Sequence, residues 1–341
     1  MGATCCALMC GKVVLYDPAS PRNLRGNPRP RNAGRAWAGR GAHLGGAGMT
    51  DARDLTQALG GRWHGRYGAA PCPICQPERK RTQNALTLAD GRNGRLVLDC
   101  KKSACAFLDI LAAAGLHSGD YSPPDAAILA QREREAKAEA VKRAEQAKRL
   151  WLEAQPIGGT AAEAYLRGRG ITCPLPPTLR FHAACWHGPT AKRYPAMVAA
   201  VQGVGMAAVH RTYLRADGSG KAAIEPDKLM LGATAGGAVR LADGPSRLVI
   251  AEGIESALSL LCGLLNGPAM VWAGLSTAGL RGLRLPAQAG RLTIATDGDG
   301  PGREAGHALA DRAHGLGWQV SILDPGTGRD FNDILQERAA A

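Results

Sequence analysis

Acidic residues follow three of the apolar runs in the last third of the chain. They are Glu252, Asp297, Asp299 and Asp330. Parallel strands share one carboxyl edge, where open α/β sheets bind ligands, so we expect these side chains to converge. Converging carboxylates repel one another unless a hard cation lies between them. Mg²⁺ suits such a place, because it takes one or two carboxylates, keeps its waters and bridges to phosphates. The pattern predicts a magnesium site for phosphate chemistry.

A simpler interpretation of each acidic motif is structural, because Asp and Gly are common in turns after strands. The ordered set of motifs favours a site over three separate turns. A calcium loop of the EF-hand type is excluded, because Pro301 and Ala308 stand where oxygen ligands are needed. A dinucleotide-binding fold is not supported, because the first strand is followed by Glu252-Gly253 and not by GxGxxG.

Four cysteines form a second constellation, with the spacing CxxC, then 24 residues, then CxxxxC. They are Cys72, Cys75, Cys100 and Cys105. A CxxC pair places two thiolates on one tight turn, and a second pair completes the tetrahedron that zinc accepts. Four unrelated thiols are the alternative, which this spacing disfavours. A closed four-thiolate site would be structural and would contribute folding free energy to a small domain. The other cysteines outside the leader are interpreted as isolated thiols: Cys173, Cys185 and Cys262.

The acidic motifs need a parallel sheet to position them. From Arg247 onward, fully apolar runs alternate with helical stretches, which is typical of a parallel sheet covered by helices on both faces. The predicted strands are 248–251, 269–273, 292–296 and 320–323, with helices from about Glu255 and Arg303. We therefore predict an α/β domain over 246–338.

The rest of the chain divides into four segments by composition. Residues 1–48 are rich in Gly, Arg, Pro and Asn and are expected to be a disordered basic leader, with Met49 a candidate initiator. Residues 50–118 hold the four cysteines on short strands, as in a zinc ribbon. Residues 123–155 predict one charged linker helix. Residues 156–245 carry strand signals broken by Gly and Pro, and we expect a small α+β subdomain there.

The net charge of +13 over 341 residues favours a polyanionic partner, most simply nucleic acid. Residues 1–50 hold seven basic residues and one acid, so the body of the chain is only moderately basic. No run reaches the ~18 apolar residues that a membrane span needs, and no secretion signal is visible. We expect a cytoplasmic protein without a membrane partner, with its thiols reduced or bound to metal.

The acidic series resembles the Toprim domain, which bacterial replicative (DnaG-type) primases share with topoisomerases and some nucleases. Its motifs here are Glu252-Gly253, Asp297-Gly298-Asp299 and Gly328-Arg329-Asp330. With its amino-terminal zinc ribbon, the chain is most similar to the primases of satellite phages and mobile elements. The resemblance covers roughly 55–115 and 180–338. It implies an α/β fold with a zinc ribbon, a linker helix and a Toprim domain preceded by a small α+β subdomain.

The resemblance also implies roles for the acidic residues. Glu252 would be a general acid/base or metal organiser. Asp297 and Asp299 would hold magnesium, with Asp330 assisting. One departure is Ser256, which stands where replicative primases have a further Asp, with Glu255 one position earlier.

Basic segments before the acidic motifs resemble the subdomain that precedes Toprim in primases. They are His210–Tyr213, Gly218–Lys221 and Lys228–Gly232. By this resemblance, three cations would contact nucleotide phosphates or template, with a solvated surface as the alternative for each: Arg211, Lys221 and Lys228.

The function implied is magnesium-dependent RNA primer synthesis from nucleoside triphosphates on a single-stranded DNA template. Two alternatives stay open: a Toprim nuclease that uses the same metal, and a non-catalytic DNA-binding accessory protein of replication. A topoisomerase is disfavoured, because the chain has no room for its strand-gating domains. The sequence has no GxxxxGK[ST] motif, so a helicase would be on a separate chain.

Overall fold

The computed structural model describes residues 12–16, 51–78, 84–91, 95–116, 121–245 and 247–340. Two compact units make up the chain. We call residues 22–139 the ribbon unit, and residues 140–341 together with 1–21 the sheet unit. The first strand of the chain, β1 (Lys12–Leu15), belongs to the sheet unit.

The ribbon unit contains a four-stranded antiparallel sheet in the order β2-β3-β4-β5. Its elements are α1 (Ala52–Ala58), β2 (Arg62–Trp63), β3 (Gly68–Ala70), β4 (Leu86–Asp90), β5 (Leu96–Cys100), α2 (Phe107–Ala113) and the first half of α3 (Ala126–Glu153). Asp51 caps α1, because its Oδ1 accepts the N–H groups of Arg53 and Asp54 at 2.8 and 3.0 Å. The small apolar core includes Leu86 and Leu88 of β4.

Arg132 anchors the amino-terminal half of α3 within the ribbon unit. Its guanidinium pairs with Asp51 at 2.5 Å and with Asp90 at 3.3 Å, and both carboxylates are largely buried. The Tyr121 hydroxyl also donates to Asp90, at 3.0 Å. The helix predicted over 123–155 is therefore present, and its first half is fastened to the ribbon.

The first sheet of the sheet unit is antiparallel, in the order β10-β9-β8-β7-β6. Its segment contains β6 (Gln155–Pro156), α4 (Ala161–Gly168), β7 (Leu179–His187), a 3-10 helix (Gly188–Thr190), β8 (Lys192–Val201), β9 (Ala208–Tyr213) and β10 (Lys228–Leu231). Met197 and Ala199 of β8 join the largest core of the molecule. The alternate residue Val198 packs with Ala147 of α3.

The second sheet has six strands in the order β1-β15-β14-β12-β13-β11. Its segment contains β11 (Val239–Ala242), β12 (Leu248–Ala251), α5 (Ile254–Ser259), a π-helix (Leu260–Leu264), β13 (Met270–Ala273), α6 (Thr277–Gly282), β14 (Arg291–Ala295), α7 (Gly300–Gly315), β15 (Gln319–Asp324) and α8 (Phe331–Ala340). Strands β12 to β15 are parallel to one another, which confirms the predicted α/β class.

Two features of this sheet differ from the sequence-based expectation. Both edge strands, β1 and β11, are antiparallel to their neighbours. Strand β1 lies inside residues 1–48, which we expected to be disordered, and it pairs with β15 from Lys12 opposite Asp324 to Leu15 opposite Ser321. The other residues of that leader lie outside the described part of the chain. Among the described residues, no helix combines the length and apolar character needed to cross a bilayer.

Candidate active site and zinc centre

Two adjacent parallel strands place Glu252 and Asp297 at the carboxyl edge of the sheet. Strands β12 and β14 are paired so that Ala251 lies opposite Ala295. Glu252 directly follows β12, and Asp297 comes two residues after β14. Strand β12 is buried throughout and β14 is buried apart from Arg291 at its start. Ligands of open parallel sheets bind beyond the carboxyl ends of such strands.

The other two acids, Asp299 and Asp330, lie at the N-termini of helices. Asp299 caps α7 by accepting the Gly302 N–H at 2.7 Å through Oδ1. Asp330 accepts the N–H groups of Asn332 and Asp333 through its own Oδ1, at 2.7 and 2.9 Å. The turn interpretation of these acids is thus correct in part. Each cap uses one carboxylate oxygen in the described contacts, and the helix N-terminus stabilises the negative charge.

Gly298 locks the loop after β14 against the loop that carries Asp330. Its N–H donates to the Arg329 carbonyl at 2.8 Å, and its own carbonyl accepts the Gly328 N–H at 2.9 Å. A Cβ at position 298 would lie 1.8 Å from the Gly326 carbonyl oxygen. Only glycine can occupy position 298 at this close contact between the two loops. The contact brings the acid-bearing loops together.

The acids interact electrostatically. Burial, followed by the charges of Asp297 and Asp299, raises the pKa of Glu252 to about 7. Burial, followed by the charges of Asp330 and Asp299, raises the pKa of Asp297 to about 6. The charge of Lys228 lowers both values without cancelling the rise. The carboxylates therefore repel one another, and a divalent cation would relieve that repulsion. The donors are all carboxylate oxygens, which is the ligand type that magnesium prefers. Among the described residues, the cysteines are the group already close enough to hold a metal ion, so the magnesium site stays a prediction.

A second layer of polar residues supports the acids. Lys228 of β10 places its Nζ 3.6 Å from Oε2 of Glu255 on α5. The Tyr165 hydroxyl of α4 donates to Oε1 of the same carboxylate at 2.9 Å. Ser256 Oγ lies 3.4 Å from Asp297 Oδ1 as a donor. The serine thus contacts the acidic cluster from the position where replicative primases have an Asp.

The four predicted zinc ligands come together in the ribbon unit. The sulfur atoms of Cys72, Cys75, Cys100 and Cys105 all lie within 4.8 Å of one another. Zinc–sulfur bonds of ~2.3 Å in a tetrahedron place sulfurs about 3.8 Å apart, so the cluster fits zinc. The longer CxxxxC turn closes through Ala104, whose φ of 45° is left-handed and whose N–H donates to the Cys100 carbonyl at 3.0 Å.

The ionisation of the four thiols is shared unequally. Burial opposes ionisation of Cys100, but hydrogen bonds from the backbone N–H groups of Cys105 and Ser103 and from the Cys75 thiol lower its pKa to about 6. Burial and the neighbouring thiols raise the pKa values of Cys75 and Cys105. A thiolate is the form that binds zinc. His64 is not a member of the cluster, and its ring stacks on Tyr67 with centroids 5.3 Å apart.

Comparison with protein families decides the nature of the acidic domain. A family model described as a Toprim domain matches residues 247–341. These residues form a Toprim domain. A second model, described as a domain of unknown function (DUF7146), matches residues 141–241. No curated protein sequence matches the chain.

The chain is also similar to solved primase structures. One is a DNA primase domain from Pseudomonas aeruginosa, with 17% identity and a TM-score of 0.35 over 57% of this chain and 74% of that chain. The RNA polymerase domain of Mycobacterium tuberculosis primase DnaG has 17% identity and a TM-score of 0.34, over 59% and 82%. The Aquifex aeolicus primase, with its zinc-binding and RNA polymerase domains, has 12% identity and a TM-score of 0.36, over 83% and 78%.

Among the predicted cations, Lys228 is the one whose charge reaches the Toprim acids Glu252 and Asp297. Lys221 pairs with Asp227 at 3.0 Å. Arg211 is buried, and its guanidinium donates to two backbone carbonyls, those of Trp186 and Met230, both at 3.2 Å. A phosphate contact for Arg211 stays a prediction, and the burial of this side chain disfavours it.

Two cysteines that we interpreted as isolated are in contact. The sulfur atoms of Cys173 and Cys262 lie 2.8 Å apart, and the Cys173 N–H donates to the Cys262 sulfur at 3.3 Å. The pair joins the segment between α4 and β7 to the π-helix of the Toprim domain. The two residues are 89 positions apart, so no spacing motif indicates the contact. Cys185 is buried.

The repulsion within the Toprim cluster predicts that Asp297→Asn stabilises the metal-free protein. The raised pKa of Asp297 means that ionisation opposes folding. The free-energy penalty for ionising Asp297 is absent when the pH is below the pKa of this carboxyl in the unfolded chain. The penalty is complete once the pH exceeds the folded value of about 6. We expect Asp297→Asn to raise the free energy of unfolding in EDTA by about 1–2 kcal/mol at pH 7.5, after allowance for solvent screening.

Unfolding in denaturant at pH 7.5 and pH 4.5 would measure this gain in the free energy of unfolding, which we expect to be smaller at the lower pH. Asp243→Asn is the matched control, because Asp243 is exposed and follows β11 at the opposite edge of the same sheet. A loss of stability for Asp297→Asn at pH 7.5 in EDTA would contradict the prediction.

Proposed function

We propose that this chain is a DNA primase, a nucleotidyltransferase that joins ribonucleotides on a single-stranded DNA template. The observation that carries the proposal is the convergence of Glu252, Asp297, Asp299 and Asp330 at one edge of the Toprim domain, beside Lys228. Clustered carboxylates next to a cation suit a polyphosphate substrate with its metal. The zinc-type ribbon unit supports a nucleic-acid partner.

In the proposed reaction, a 3′-hydroxyl attacks the α-phosphate of a nucleoside triphosphate, and pyrophosphate leaves. Magnesium held by Asp297 and Asp299, with Asp330 assisting, would supply charge neutralisation at the triphosphate. Glu252, whose carboxylate interacts with Asp297 and Asp299, is the candidate general acid/base or metal organiser. The ammonium of Lys228 would contact the phosphates as a point charge.

The ribbon unit would hold the template. Zinc at its four cysteines would keep this unit folded. Near the first cysteine pair, Tyr67 is exposed and suits base stacking, and Arg66 adds positive charge. Trp63 is half-buried, and its indole N–H donates to the Gly65 carbonyl at 2.8 Å, so it serves the ribbon itself. A helicase on a separate chain would open the duplex.

The test of this proposal is primer synthesis by the full chain with zinc, magnesium, a single-stranded template and labelled ribonucleotides. We expect short template-dependent products. Asp297→Asn with Asp299→Asn should lower their yield by about 10²-fold or more, because the metal's charge stabilisation is lost. Asp243→Asn should leave the yield unchanged.

The same assay separates the alternatives. Shortening of the template that depends on Asp297 and Asp299 would overturn the proposal in favour of a Toprim nuclease. Template binding that is equal in all variants, with no change in any strand, would support a non-catalytic accessory protein.

A further inference from the structure

Glu255 is a buried acid of the sheet unit that the proposed chemistry does not use. Its side chain is 8% exposed. Its two oxygens have different partners, since Oε1 accepts the Tyr165 hydroxyl at 2.9 Å and Oε2 lies 3.6 Å from Lys228 Nζ. A buried carboxylate is costly unless it is paired, so this arrangement needs a reason beyond packing.

The charge of Lys228 acts both on this carboxylate and on the metal cluster. This charge holds the pKa of Glu255 below the ordinary value, despite the opposing effect of burial. The same charge lowers the pKa values of Glu252 and Asp297. Without Glu255, the anions whose charge acts on the ammonium would be Asp227 and the two metal carboxylates. An ammonium that paired with the metal carboxylates would compete with a divalent cation for the same oxygens.

Other positive groups nearby are occupied or neutral. Lys221 pairs with Asp227. Burial, followed by the charge of Lys228, lowers the pKa of His210 to about 4, so this ring is uncharged at neutral pH. Lys228 is therefore the cation whose position decides whether the cluster stays open.

The position of Lys228 is set by three separate segments. Lys228 lies on β10, opposite Thr212 of β9. Glu255 is on α5, one turn after Glu252, and Tyr165 is on α4. Tyr165 is 3% exposed, so its hydroxyl is fixed against the carboxylate by the surrounding core.

We propose that Glu255, clamped by the Tyr165 hydroxyl, is a positioning residue that holds the Lys228 ammonium off the metal carboxylates and so keeps them open to a divalent cation. The inference rests on the metal site of the proposed function. It assigns Glu255 and Tyr165 a role in cation affinity and not in the transfer step.

The experiment measures Mn²⁺ binding to the full chain by calorimetry and by the paramagnetic resonance of free Mn²⁺, with no nucleotide present. We expect Glu255→Gln to weaken the affinity about tenfold, because Lys228 then pairs with the metal carboxylates. Tyr165→Phe keeps every charge and removes only the hydrogen bond to Glu255. We therefore expect this variant to weaken the Mn²⁺ affinity about threefold. Asp243→Asn removes one negative charge from an exposed position at the opposite edge of the same sheet and should change the affinity by less than about twofold.

Three outcomes would overturn the inference. Equal weakening by Glu255→Gln and Asp243→Asn would mean that net charge alone is responsible. Unchanged Mn²⁺ affinity in a folded Tyr165→Phe variant would refute the proposed role of the Tyr165 hydroxyl. If Glu255→Gln does not fold, the Tyr165→Phe variant alone tests the inference. No Mn²⁺ binding by the unaltered chain would overturn the metal site itself. Expected Mn²⁺ shifts without primer synthesis would uphold the inference and refute the proposed function.

Discussion

Replacing Cys72 and Cys75 with serine should unfold the ribbon unit while the sheet unit stays folded. Two of the four ligands, Cys72 and Cys100, are themselves buried members of the small ribbon core. Structural zinc contributes about 10–16 kcal/mol to folding in zinc-finger peptides, which is more than a core of this size supplies. Hydrogen exchange resolved by peptide is the measurement. Residues 51–116 should lose protection, and residues 161–335 should keep it.

The matched control is Cys173→Ser with Cys262→Ser, which also removes two contacting thiols but lies in the sheet unit. Zinc content should fall in the first double variant and stay unchanged in the control. Full protection of residues 51–116 in a zinc-free Cys72→Ser, Cys75→Ser protein would show that the ribbon folds without its metal.

Lys228→Met should destabilise the sheet unit by about 2–3 kcal/mol. The substitution leaves the Glu255 carboxylate buried without its ion-pair partner, and breaking a buried pair on one side is costly. This value lies below the usual cost of about 3–5 kcal/mol, because the Lys228 side chain is 36% exposed and solvent screens its charge. Denaturant unfolding followed by tryptophan fluorescence, in EDTA, measures the change.

Lys221→Met is the matched control, because its pair with Asp227 is partly exposed on both sides. Lys221→Met should lower the free energy of unfolding by no more than about 1 kcal/mol. Adding Glu255→Gln to Lys228→Met should recover much of the loss, since the unpaired charge is then removed. Equal costs for the two lysine variants, or no recovery in the double variant, would show that the Lys228–Glu255 pair is not the cause.

Local patterns predicted the parts of the site that depend on short stretches of sequence. Apolar runs followed by acids predicted that Glu252 and Asp297 would meet, because parallel strands carry their carboxyl ends to one edge. The spacing of the cysteines predicted their cluster. The sulfur distances confirm the cysteine cluster. The strand pairing places the ends of β12 and β14 side by side, and the role of the acids stays a prediction.

Contacts between distant segments were not predictable in this way. Tyr165 meets Glu255 across 90 positions, and neither residue belongs to a motif that specifies the partner. Strand β1 was missed for a different reason. Its run of Lys12 to Leu15 is too short to change the composition of a leader rich in Gly and Arg, and the neighbour that it pairs with lies about 300 positions away.

The largest core crosses the boundary between the two family matches. It combines Leu179 and Met197 from the first matched segment with Val249 and Ile254 from the Toprim domain. Exchange of either segment between relatives would therefore cut through a single hydrophobic interior. A recombination event at residues 242–246 would pair two halves whose side chains had not adapted to each other. We expect the two segments to be inherited together, with compensating changes across this interior.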